Sequence, residues 1–175
     1  SKDENDIRKK NTKFGSWVYP DQRLELSEKD YLKIKKLTKK IGIDLIITPW
    51  DEKSVKFVKK IGIKFFKIAS IDANNYHFCE FVAKQKHPTI ISTGMCTYDE
   101  ILKTQRIFKK HNTPHIFLHC TSAYPSDEKD KNLNCIPKLR SLLKDEVGFS
   151  GHGVGLSGAV GATALGAKVI EKHFT

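Results

Sequence analysis

The chain has 175 residues, 39% of them hydrophobic, enough for one sizeable core and too few for two large domains. Its 31 Lys and Arg against 20 Asp and Glu leave a net charge of +11, so an anionic partner, nucleic acid or a phosphorylated metabolite, has to be weighed. No apolar run reaches membrane-spanning length, and the start, Ser1-Lys2-Asp3-Glu4-Asn5-Asp6, is too polar for a secretory signal.

Four cysteines (Cys79, Cys96, Cys120, Cys135) show no Cys-x-x-Cys spacing and read as reduced thiols, the expectation being a cytoplasmic protein without membrane contact. The sequence does not begin with Met, so the start of a longer protein is expected to be missing.

In chain order, a helix is expected over 29–40, where Tyr31, Ile34, Leu37 and Ile41 recur at three- and four-residue spacing. Its lysines then face water, which makes most of the positive charge solvated surface rather than a nucleic-acid footprint. The segment Lys-Lys-Ile-Gly-Ile occurs at 39–43 and again at 59–63. Each copy closes a helix with basic residues and puts Gly42 or Gly62 where a left-handed residue is needed. Strands are expected near 44–48, 65–70, 89–93, 116–121, 147–150 and 167–174, with helices between them.

Apolar strands alternating with helices imply a parallel sheet, either an open doubly wound sheet or a barrel. The polar residues favour the barrel. Thr48, Lys67, Ser70, Ser92, Ser122, Ser150, His152, Glu171 and His173 all fall at or near C-terminal strand ends, the face on which barrels build their sites from many strands. The expectation is therefore an α/β fold, a parallel (β/α)8 TIM-type barrel that is incomplete. It would hold about six βα units, strands 3–8, in one domain over residues 1–175.

Lys67 stands inside the apolar run Phe65–Ala69, and a buried ammonium calls for an anion such as phosphate or carboxylate. The runs ending Ser150-Gly151-His152 and Glu171-Lys172-His173 each put two polar side chains on one strand face. If these strands are parallel neighbours, His152 and His173 can ligate a divalent metal, Mn²⁺ or Mg²⁺, with open positions for substrate. His115 and His119 have zinc-helix spacing but lie in a strand-like run and are set aside. Gly153-Val154-Gly155-Leu156-Ser157-Gly158 matches a dinucleotide fingerprint, but it comes as the chain ends, whereas that motif usually opens a fold.

The motifs together resemble the N-acetylneuraminate (sialic acid) synthase family. They are Thr48-Pro49-Trp50-Asp51, Phe66-Lys67-Ile68-Ala69-Ser70, Ile91-Ser92-Thr93-Gly94-Met95, His119-Cys120-Thr121-Ser122-Ala123-Tyr124-Pro125, Gly148-Phe149-Ser150-Gly151-His152 and the run from Ala164 to Thr175. The stretch from Phe14 to Ser27 resembles the branch that includes the animal enzymes.

This resemblance implies a barrel enzyme condensing phosphoenolpyruvate with an N-acyl amino sugar, such as N-acetylmannosamine or its 6-phosphate. Thr48, Lys67, Ser70, Ser92, Ser122 and Ser150 would hold phosphoenolpyruvate, and His152 and His173 the metal. Asp72, Tyr124 and Glu171 would orient the sugar. Sister activities on legionaminic, pseudaminic or spore-coat sugars are the nearest alternatives; a non-catalytic basic nucleic-acid-binding module is the alternative from another class.

Departures from the family pattern are Gly151, where many bacterial members have Asp, Gly153, where the animal-like branch often has Glu, and Ser122, where some have Asn. The family's first two strands and its C-terminal antifreeze-like domain, which reaches the partner's site in a homodimer, are not expected within this chain.

Overall fold

The computed structural model describes residues 26–174, so most of the animal-like stretch, Phe14 through Glu25, lies outside the described residues. The chain divides into two compact units, 1–43 and 44–175. In the first, helix α1 (Glu28–Ile41) starts in a capping box between Ser27 and Asp30. None of its residues is buried, and Leu37 and Ile41 of the expected apolar stripe are exposed.

The second unit runs α2 (Glu52–Lys60), β1 (Phe66–Ile68), a 3-10 turn (Ser70–Asp72), α3 (Tyr76–Lys84) and β2 (Thr89–Ser92). It continues through α4 (Tyr98–Lys110), β3 (His115–Cys120), a second 3-10 turn (Glu128–Asp130), α5 (Cys135–Leu143), β4 (Val147–Gly151), α6 (Ser157–Ala164) and β5 (Ile170–Lys172). The repeated pentapeptide folds the same way twice. Ile43 N–H donates to Thr38 O at 3.0 Å past Gly42 (φ 79°), and Ile63 N–H donates to Val58 O at 3.3 Å past Gly62 (φ 71°). Both are Schellman closures, which satisfy carbonyls the helix itself leaves free.

The five strands form one parallel sheet in the order β1-β2-β3-β4-β5. A sixth strand expected near 44–48 is reduced to a single bridge, Ile47 to Phe66. Pro49 has no N–H to extend the ladder, and Asp51 already accepts from Ser54 N–H at 2.6 Å to cap α2.

The registers sort the side chains into two faces. Phe66, Ile68, Ile91, Phe117, Val147 and Phe149 point outward and are buried. There α-helical residues such as Val55, Val82, Phe108 and Leu139 are also buried, and the His115 ring lies tilted against Phe108 of α4 and edge-on to Phe117. Lys67, Ser92, Cys120, Ser150 and Glu171 fall on the opposite, inner face.

One contact shows that the sheet curls. In a flat sheet, four strand spacings would separate β1 from β5 by roughly 19 Å. Yet Lys67 Nζ on β1 lies 3.5 Å from Glu171 Oε2 on β5. Two side chains cannot bridge the flat distance, so the sheet rolls toward closure with its inner face concave. A sequential strand order without a reversal point is likewise that of a barrel, not of a doubly wound sheet. The fold is a parallel α/β half-barrel, as expected, with five strands in place of six.

Candidate active site

The inner residues at the C-terminal strand ends form one polar cluster. Lys67 Nζ donates to Ser92 Oγ at 2.8 Å and to Ile68 O at 3.1 Å, and pairs with Glu171. Ser92 Oγ in turn donates to Glu171 Oε2 at 3.2 Å. Lys67 is buried, and desolvation pulls its ammonium below the usual lysine range, with the charge of Glu171 pushing back. A buried ammonium is held here by a hydroxyl, a carbonyl and a carboxylate.

Beside this cluster His152 and His173 meet, with His173 Nε2 3.1 Å from His152 Nδ1. Parallel pairing of β4 with β5 sets Ser150 opposite Glu171, and the chain carries each histidine two residues further up the same face. The other nitrogen of His152, Nε2, lies 3.5 Å from both Ser150 Oγ and Cys120 Sγ. Burial is the largest influence on His152 and lowers its pKa, with His173 adding to the effect; a neutral ring is the form that ligates metals. The Tyr124 ring lies against His152, tilted by 43° with ring centroids 4.1 Å apart, and meets His173 edge-on. Its loop is pinned there by Ser126 N–H donating to His152 O at 3.2 Å.

The two facing nitrogens are within hydrogen-bonding distance, and the spacing is also one that two ligands of a single ion could have. In octahedral geometry, two ligand atoms each about 2.1 Å from one ion lie about 3 Å apart. Among the described residues no group of three His, Cys, Asp or Glu gathers to complete a protein cage. An ion held by His152 and His173 would have to take its remaining ligands from water or substrate.

The other expected residues divide. Ser70 Oγ accepts from Gly94 N–H at 3.0 Å, linking the loops after β1 and β2. Ser122 Oγ lies 3.9 Å from Cys120 Sγ. Asp72 is not drawn into the cluster; it accepts from Asn75 Nδ2 at 3.3 Å, and burial raises its pKa. Thr48 is half-buried on the extended segment beside β1 and hydrogen-bonds to no other described residue.

Two residues escaped the sequence reading. Cys120 faces the site opposite Ser150, a placement that follows only from the β3–β4 register. Lys131 is buried, and its ammonium bonds Glu128 and, at 3.1 Å, Ser157 Oγ. A Cβ on Gly153 would lie 2.6 Å from Lys131 Cε, and one on Gly158 would lie 3.1 Å from its Cδ. Those two glycines of the Gly-x-Gly-x-x-Gly run thus make room for a lysine.

A curled parallel sheet with a buried lysine and an imidazole pair on its C-terminal rim defines a TIM-type domain. The chain belongs to the NeuB family, matching the family over residues 1–175. It is 39% identical over 155 residues to the N-acetylneuraminate-9-phosphate synthase of Mus musculus, covering 88% of this chain and 43% of that protein. It is 45% identical over 134 residues to the pseudaminic acid synthase of Campylobacter jejuni serotype O:23/36, covering 76% and 39%. The chain thus spans less than half the length of these relatives.

Among solved structures, the sialic acid synthetase of Leptospira borgpetersenii, determined with citrate, superposes with a TM-score of 0.85 at 34% identity. That match covers 91% of this chain and 59% of the other.

Proposed function

We propose that this chain carries the substrate-binding face of a synthase that joins phosphoenolpyruvate to an N-acyl amino sugar, releasing phosphate. The supporting observation is the buried Lys67–Ser92 pair lying on one rim with the facing imidazoles of His152 and His173. In the net reaction the enol carbon of phosphoenolpyruvate bonds to the sugar aldehyde carbon. Water supplies the new keto oxygen, phosphate leaves by C–O cleavage, and the former aldehyde oxygen takes a proton.

Lys67, Ser92 and Ser150 would hold the negative groups of phosphoenolpyruvate, with Ser70, Ser122 and Thr48 as further hydroxyls around it. Donors fixed on the concave face would favour charge that stays in place during the reaction. A divalent ion, Mn²⁺ or Mg²⁺, held by His152 and His173 would polarise the acceptor carbonyl. Tyr124, Asp72 and Glu171 would orient the sugar hydroxyls, so that the reacting carbons meet already aligned. Nucleic acid is not a partner in this reading; a cytoplasmic homodimer is.

The acceptor is proposed as N-acetylmannosamine or its 6-phosphate, with the precursors of pseudaminic, legionaminic or spore-coat sugars as the competing acceptors. Identities of 39% and 45% to synthases of different sugars favour neither group.

The test is calorimetry of the protein with Mn²⁺ and with phosphoenolpyruvate. One Mn²⁺ site, abolished by the double variant His152→Ala/His173→Ala, and phosphoenolpyruvate binding abolished by Lys67→Met are expected. Metal uptake unaffected by the double variant overturns the proposal, as does a protein that binds DNA with steep salt dependence and ignores both ligands.

A further inference from the structure

Lys67 and Glu171 are unequal partners. The lysine side chain is 8% exposed and the glutamate side chain 41% exposed. Lys67 is fixed from within by Ser92 Oγ at 2.8 Å and Ile68 O at 3.1 Å, whereas the carboxylate touches the ammonium only at 3.5 Å. The burial of the ammonium makes a counter-charge necessary, and the exposure of the carboxylate makes this one replaceable.

We propose that Glu171 is a resident counter-ion, occupying the anion position on Lys67 and Ser92 until a substrate carboxylate or phosphate displaces it. This rests on the proposed phosphoenolpyruvate site and adds a selectivity device to it. Glu171 neutralises the lysine with a single charge, so a singly charged anion exchanges one carboxylate-like partner for another and gains little. A ligand with several negative charges gains more than it removes. The same carboxylate keeps the buried ammonium from standing alone when no substrate is present, the state that costs most. Ser92 joins the two states, donating to Glu171 at 3.2 Å while accepting from Lys67, so its hydroxyl is ready to turn to the incoming oxygen.

The role differs from orienting a sugar in what it requires of a variant. An orienting residue leaves anion affinity unchanged when it is removed; a competing counter-ion raises it. Phosphoenolpyruvate and inorganic phosphate, each alone and with metal chelated, are titrated into the wild-type chain and into Glu171→Gln by calorimetry. Affinity about tenfold higher in Glu171→Gln is expected. Glu171→Asp, which keeps the charge and shortens its reach, is expected to fall between.

In parallel, thermal unfolding should show Glu171→Gln less stable than wild type without ligand and restored by phosphate, because the ligand then supplies the missing charge. Equal or weaker phosphoenolpyruvate binding by Glu171→Gln, with wild type binding normally, overturns the counter-ion role and leaves the proposed function standing. Absence of phosphoenolpyruvate binding by both proteins overturns the proposed function and this inference with it.

Discussion

Lys67 allows a residue kept for stability to be told from one kept for a ligand. An ion pair with one buried member is a weak source of stability, because desolvating the ammonium offsets most of the attraction, and an apolar replacement of similar volume is often neutral or stabilising. In Lys67→Met the half-exposed Glu171 turns to water instead of being stranded. Chemical denaturation of Lys67→Met is therefore expected to give a stability within about 1 kcal/mol of wild type or above it. The same variant should show no phosphoenolpyruvate binding. A loss of several kcal/mol would mean that the lysine anchors the barrel and only incidentally faces the site. His115 poses the opposite problem on the outer face. Its Nδ1 lies 2.8 Å from Thr113 O, while Nε2 is buried without a partner among the described residues. Burial is the largest influence on His115 and holds its pKa below the ordinary 6.5. The unfolded chain takes up a proton there at higher pH than the folded one, so stability falls as pH drops through about 6.5 toward the lower folded value. In His115→Phe that part of the acid sensitivity should vanish from the pH dependence of the urea midpoint, with stability at neutral pH maintained.

At the level of elements, strand β4 is the keystone of the site, since it pairs with β3 on one side and β5 on the other. Gly148 lets that packing close: a Cβ there would lie 2.4 Å from Leu118 Cδ2 and 2.5 Å from Val169 O. The leucine can turn aside; the carbonyl belongs to the β4–β5 ladder and cannot. Gly148→Ala is expected to cost about 1–3 kcal/mol, as overpacking does. It should also weaken Mn²⁺ binding, because the β4–β5 register places His152 beside His173; unchanged metal affinity would detach the histidine pair from that register. The elements were legible in sequence where local chemistry dictates them. The repeated Lys-Lys-Ile-Gly-Ile announced two helix ends, and the histidines closing apolar runs announced two strand ends on one rim. What was not legible depends on neighbours. Pairing of the 44–48 segment collapses to Ile47, a matter of how soon Pro49 and the cap of α2 interrupt the ladder. Cys120 becomes a site residue only through its position across from Ser150. The glycines at 153 and 158 read as a nucleotide fingerprint because nothing local reveals that Lys131 will lie against them.

At the scale of the whole molecule, curvature is what turns five separate strand ends into one site, and curvature also limits what this chain can do alone. Its sheet is rolled but not closed. Among the described residues the inner-face Ile90 and Ile116 remain partly open to solvent, and β5 has a strand partner on one side only. Exposed ladder edges recruit other edges. The chain also spans 43% of the mouse synthase and 39% of the Campylobacter one, so more than half of each relative has no counterpart in it. A site built from many strands around a barrel loses the donors of every strand that is not there. The 175-residue chain should therefore bind its anion and its metal yet release no phosphate above background from phosphoenolpyruvate and N-acetylmannosamine in the presence of Mn²⁺. In sedimentation it should associate with increasing concentration. Phosphate release at rates ordinary for an enzyme, on the order of one per second or faster, would show that half a barrel suffices and that the residues on its rim complete the site by themselves.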